Sequence, residues 1–214
     1  MTSQMQAALR VTKAGAIALE VATDELCALD SVAGDGDHGF AMGTAAKAIR
    51  QRIAQDPPTD LPDLTDLLAS QFGAVGGSMG ALLSVAFSAL GDRAAAANGP
   101  LTGGQVTDYL AVMLEALTEL GGAKVGDKTI VDAVAGAQTA AAAAAGDGAS
   151  ATETLFAAAA GASGGAESTA GMVARVGRAS RLGERSRGSV DAGARSFALV
   201  LTAVADAYPD GDRA

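Results

Sequence analysis

Met5, Leu9, Thr12, Ala16, Leu19, Thr23 and Leu26 follow one another in alternating steps of four and three. That spacing draws one stripe down an α-helix and no face of a strand. It predicts a helix from about Thr2 to Leu29. What the stripe can pack against is limited by side-chain size. Hydrophobic residues make up 49% of the 214-residue chain, but aromatic residues only 3%, and alanine dominates the apolar share. Sheets draw on valine, isoleucine and aromatics, whereas alanine suits helices packed closely on helices. The expected fold class is therefore all-α.

Further helices are expected from about Gly39 to Gln55, ended by Pro57 and Pro58, and after Asp60 or Asp63 as a cap. A fourth is expected over 79–96, a fifth over VTDYLAVMLEALTEL and a sixth over IVDAVAGAQTAAAAAA. Residues 150 to 177 read as a seventh, glycine-bearing and bent, and AGARSFALVLTAVADAY as the last. Between these two lies GRASRLGERSRGSVD, which has no apolar period and is expected to be a structureless loop. Loops of that length in a compact fold tend to be lids or binding loops. No repeat or linker divides the chain, so 1–214 is expected to form one domain.

The formal charge of −9 argues against nucleic acid and against anionic membranes, both of which call for a basic surface. Cys27 is the only cysteine, which points to a reducing compartment. No apolar run approaches the roughly 18 residues of a spanning helix, and the N-terminus has no leader pattern. A cytoplasmic protein is the expectation.

Three stretches could carry chemistry. LDSVAGDGDHGFAMG gathers Asp30, Asp35, Asp37 and the only histidine, His38, into a glycine turn. Converging carboxylates are hard oxygen ligands that suit Mg²⁺; a solvated acidic turn is the blander alternative. AVGGSMG, at the start of the fourth helix, can turn backbone N–H groups toward an anion, although a glycine hinge looks the same. GDKT and the arginine-rich loop, with Arg175, Arg178, Arg181, Arg185 and Arg187, suggest a basic lid over something anionic in an otherwise acidic chain. An acidic metal turn, an anion turn and a basic lid together imply a metal–polyphosphate site of the phosphoryl-transfer kind.

GDGDHG with Asp30 upstream, VGG-x-x-G, GDKT and GRAS-x-LGERS-x-G resemble the nucleotide-binding subunit of dihydroxyacetone kinases, DhaL, in the expected order along the whole chain. The resemblance implies an eight-helix antiparallel barrel with ADP or ATP and two Mg²⁺ at one rim. It implies Asp30, Asp35 and Asp37 as metal ligands. His38, Gly39, Ala41, Gly77, Ser78 and Met79 would lie at the phosphates. Gly121, Ile130, Arg178, Val190, Asp191 and Ala192 would border the adenosine. A DhaK-like subunit would hold the ketose, and a DhaM-like phosphocarrier would serve members that keep ADP bound. Four positions depart from the family: Ala41 stands where asparagine is usual, Met79 where serine or threonine is, and Ala192 and Ala81 where proline is. A regulatory module, whose nucleotide state is read by a transcription regulator, is the alternative function.

Overall fold

A computed structural model of the chain describes residues 2–95 and 99–209. The described residues form nine α-helices and no strand: α1 (Ser3–Val21), α2 (Thr23–Ser31), α3 (His38–Gln55), α4 (Leu61–Ala74), α5 (Gly77–Ala94), α6 (Gly103–Gly121), α7 (Ile130–Gly146), α8 (Ala151–Ser168) and α9 (Ala192–Ala207). The expected first helix is thus two. It breaks at Ala22, where Thr23 Oγ1 turns back to the carbonyls of Leu19 and Glu20 (3.4 and 3.0 Å) and competes with the helical ladder. The backbone bond from Leu26 N to Ala22 O (2.9 Å) carries the path across the break. Counted as one bent helix, α1 and α2 leave eight in all.

Asp60, not Asp63, caps α4, accepting the N–H of Asp63 at 2.9 Å. α5 begins two residues before the expected Met79, and Ala96, the expected last residue of that helix, lies outside the described residues. The seventh expected helix is too long. α8 stops at Ser168, because Thr169 turns its hydroxyl onto the Ala166 carbonyl and the chain leaves in a short 3-10 turn, Thr169–Gly171. The arginine-rich loop is also more ordered than expected. Arg178–Ser186 winds into 3-10 turns broken at Gly183, where φ is 54°.

Helix packs on helix around a closed ring: α1 on α3, then α4, α5, α6, α7, α8 and α9, which returns to α1. Short connections make neighbours run in opposite directions. The N-termini of α3, α5, α7 and α9 therefore share one end of the ring, while α1, α4, α6 and α8 begin at the other.

The core has two characters. Leu26, Met42, Ile49, Phe72, Leu83 and Leu117 anchor the side built from α1 to α6. Ala133, Ala137, Ala141, Ala158, Ala162 and Ala198 fill the side built from α7, α8 and α9. A buried leucine or isoleucine contributes about 1.5–3 kcal/mol, but a single methyl only about 0.8. The alanine side makes up the difference by approach: Gly136 and Gly161 face each other so closely that a Cβ on either would strike the other's carbonyl oxygen. Among the described residues no helix is long and apolar enough to cross a membrane.

Candidate functional site

α2 ends beside Asp30, and six residues reverse the chain into α3. Asp30 organises that reversal. Its Oδ2 accepts the backbone N–H groups of Gly36 (2.9 Å), Asp37 (3.1 Å) and His38 (3.4 Å). Gly34 closes over the same carboxylate, whose Cγ would lie only 2.8 Å from a Cβ there. One carboxylate so folds the turn that presents the other two. Asp30, Asp35 and Asp37 each offer an oxygen, all within 4.8 Å of one another.

Such crowding of anions has an electrostatic cost. Partial desolvation, and then the Asp35 carboxylate beside it, raise the pKa of Asp37. Asp35 moves the other way, because the Arg178 guanidinium donates to its Oδ2 and stabilises the charged form. An arginine of the 178–186 segment thus lies on the acidic turn. A cluster of oxygen donors, those of Asp35 and Asp37 exposed, fits Mg²⁺, and among the described residues no nitrogen or sulfur ligand completes a softer set. His38 is engaged elsewhere: its Nε2 lies 3.1 Å from Ser196 Oγ of α9, and burial lowers its pKa.

The turn opens into a cleft of about 540 Å³ at the end of the ring where α3, α5, α7 and α9 begin. Helix N-termini expose N–H groups and favour anions. At most ends in this chain a side chain takes up those donors. Thr129 and Asp132 form a capping box on α7, and Asp191 Oδ1 accepts Ala194 N at 2.8 Å on α9. At α3 the N-cap residue Asp37 adds no such bond and Asp30 reaches only as far as His38 N; α5 has no side-chain cap. In α5 the chain enters through Gly76 and Gly77, at φ 71° and 70°, a conformation that side chains rarely adopt. Exposed Ser78 and half-buried Met79 follow in its first turn.

Of the residues expected at the site, Asp30, Asp37, His38, Ala41, Gly77, Ser78, Met79, Gly121, Ile130, Arg178, Val190, Asp191 and Ala192 line this cleft. Asp35 joins through Arg178 and its fellow aspartates. Gly39 does not line it. It sits buried where α3 crosses α2, and a Cβ there would strike Thr23 O and lie 2.8 Å from Cys27 Sγ. The expected polar contact at position 79 is replaced by packing, since the methyl of Met79 occupies the space above Gly193. Two residues of the site escape sequence reasoning. Ser196, which holds His38, is 158 positions away from it. Lys128, at 4% exposure, has its ammonium on the carbonyls of Thr169 (2.6 Å) and Ser189. Burial lowers the pKa of Lys128 and pushes that of Asp191 up to about 6. A larger cavity of about 1080 Å³ at the opposite end of the ring has no charged side chain in its lining among the described residues.

The family model of the DAK2 domain matches residues 32–206. The chain is 36% identical over 186 residues to the L-erythrulose kinase of Pectobacterium atrosepticum, a match covering 84% of this chain and 31% of that one. It is 31% identical over 195 residues to a Listeria innocua protein named as the ADP-binding subunit DhaL of PEP-dependent dihydroxyacetone kinase 2, covering 87% of each. The crystal structure of the dihydroxyacetone kinase from C. freundii in complex with AMP-PNP and Mg²⁺ superposes with a TM-score of 0.72 at 30% identity, over 93% of this chain and 34% of that one. The chain spans about a third of the length of the erythrulose kinases it matches.

Proposed function

From its membership of the DAK2-domain family, to which the chain belongs, we propose that it binds a Mg²⁺-nucleotide and passes phosphate to dihydroxyacetone or a related short ketose held by a separate DhaK-like component. The observation that carries this reading is the pairing of the starts of α3 and α5, neither capped by the side chain of its N-cap residue, with the three-aspartate turn on the same cleft. Free N–H donors call for an anion and the carboxylates for a cation. A nucleotide polyphosphate with its magnesium satisfies both at once. Two Mg²⁺ ions held by Asp30, Asp35 and Asp37 would neutralise charge on the transferring phosphoryl group.

The rest of the work falls to this chain's own groups. Asp30 holds the turn so that Asp35 and Asp37 face the cleft. The N–H groups that follow His38 at the start of α3, and those at Ser78 and Met79, fix phosphate oxygens. Gly121, Ile130 and Val190 to Ala192 border the nucleoside, and Arg178 brings positive charge across the opening from the lid. Phosphoryl transfer needs positioning and charge neutralisation more than covalent chemistry, and these residues supply both. The erythrulose kinases among the relatives widen the choice of ketose beyond dihydroxyacetone.

The test is to mix the chain with DhaK-like partners, Mg²⁺-ATP and either dihydroxyacetone or erythrulose, and to assay the sugar phosphate. Product that requires both proteins is expected. A chain that binds no nucleotide in Mg²⁺ would overturn the reading at its root.

The donor follows from Ala41 and Met79. Neither offers a side-chain hydrogen bond to phosphate, and one such bond to a charged group is worth about 1.5–3 kcal/mol. ADP should therefore leave quickly and ATP should serve as a direct substrate, without a DhaM-like phosphocarrier. Ala41→Asn with Met79→Ser should slow ADP release by about tenfold or more in a stopped-flow displacement measurement. Equal off-rates for the two proteins would count against it.

A further inference from the structure

GDKT holds the lid. Lys128 is the one non-glycine residue among those described with positive φ, 64°, and its side chain is buried rather than extended into solvent. An ammonium withdrawn from water must be bonded, and here its partners are backbone carbonyls from two other segments. Thr169 O belongs to the end of α8, and Ser189 O to the far end of the arginine-rich loop. The residue beside it grips the near end: Asp127 O accepts the N–H of Arg175 at 3.2 Å. Two consecutive residues therefore anchor both roots of the loop, immediately before α7 begins.

The far root is fastened along its length. Arg187 donates to Gly171 O, Gly188 N to Ala170 O (2.8 Å) and Asp191 N to Thr169 Oγ1 (2.9 Å). In the middle, Ser186 is fully buried and bonded both to Ala174 N and to Gly183 O. Arg181 and Arg185 remain exposed on the arch between the roots.

We propose that Lys128 is a positioning residue: its ammonium clamps the Val190–Ala192 wall of the cleft to the start of α7, so that this wall stands ready before nucleotide arrives. Only the arch from Arg178 to Arg185 is then left to move. The inference rests on the proposed nucleotide site for its ligand, but not for the clamp itself. Lysine in a left-handed conformation is unfavourable, and glycine is not. Lys128→Gly thus removes the ammonium without straining the turn.

Three measurements test the clamp. In limited trypsin digestion of the nucleotide-free chain, Arg187 should be cut at least tenfold more slowly than Arg181 or Arg185 in the native protein, and at a similar rate to them in Lys128→Gly. The dissociation constant for Mg²⁺-ADP should rise about tenfold or more in that variant, with Lys128→Arg, which keeps a cation, falling between. In the native chain, amide exchange at Gly188 and Asp191 should already be slow without nucleotide and should change little on adding Mg²⁺-ADP. A Lys128→Gly protein that keeps Arg187 protected, or binds Mg²⁺-ADP within twofold of native, overturns the proposal. So does fast exchange at Gly188 and Asp191 in the empty native chain, a result obtainable even if the variant does not fold. A native chain that binds no nucleotide, yet loses Arg187 protection in Lys128→Gly, would refute the nucleotide reading and leave the clamp standing.

Discussion

Asp37→Asn should abolish Mg²⁺-dependent ADP binding while leaving the helices in place. The carboxylate is exposed, accepts no hydrogen bond that folds the turn, and shares its surroundings with Asp30 and Asp35. An asparagine keeps the shape and removes the charge. Even residues that only support metal ligands typically cost 10–100-fold in affinity when changed, so losing a ligand itself should cost about a hundredfold or more. Stability should move the other way. The folded-state pKa of Asp37 is raised, so the native chain holds that proton more tightly than the unfolded one. Its ionisation therefore costs stability as pH rises through that range, and asparagine escapes the cost. The variant should be as stable as the native chain at neutral pH or slightly more so, the gain vanishing below about pH 4. Titration calorimetry with Mg²⁺-ADP, alongside urea melts at two pH values, checks both halves. Unchanged ADP affinity in Mg²⁺ would remove Asp37 from the metal site. Asp30→Asn is a different experiment, because Asp30 also folds the turn.

Gly161→Ala should destabilise the chain by about 2 kcal/mol or more, against the ordinary preference of helices for alanine. The added methyl would lie 2.7 Å from Ala140 Cβ and collide with the carbonyl of Gly136, which belongs to backbone and cannot swing aside. α7 and α8 would have to part. In a domain of this size the thermal midpoint should fall by roughly 5 °C. Gly164→Ala, three residues further along the same helix, is the control. Nothing lies within 4 Å of its Cβ, so it should stabilise the chain by about 0.5–1 kcal/mol. If both substitutions shift the midpoint alike, the close approach of α7 and α8 is not what orders them.

The sequence made the helices legible wherever apolar period and capping residues agreed, as at Asp60 before α4. It hid the break at Ala22, because the stripe Leu19, Thr23 and Leu26 runs straight through it and only the hydroxyl of Thr23 disturbs the ladder. The end of α8 was hidden in the same manner by Thr169. Most of the site was legible too, since its aspartates and glycines fall in short contiguous motifs. Contacts between distant segments were not. Nothing in GDGDHG announces that Ser196 lies against His38, and nothing in GDKT that Ser189 and Thr169 close over Lys128. Gly39 lies inside the densest motif yet serves a helix crossing, because local spacing does not say which side of a helix start faces the cleft.

The alanine wall of α7, α8 and α9 has a consequence for conformational entropy. Alanine and glycine surrender no side-chain rotamers on folding, whereas methionine and long polar chains lose up to about 2 kcal/mol each. The half of the ring that carries Ile130, Asp191 and Ala192 therefore has no rotamers left to rearrange among Ala133, Ala137, Ala141, Ala158 and Ala162. Adaptation to a ligand must come from the other half, where Met42, Leu83 and Leu117 can repack, or from the arch above the cleft. One side acts as an anvil, with most of its buried methyls tied straight to the backbone, and the other absorbs the fit.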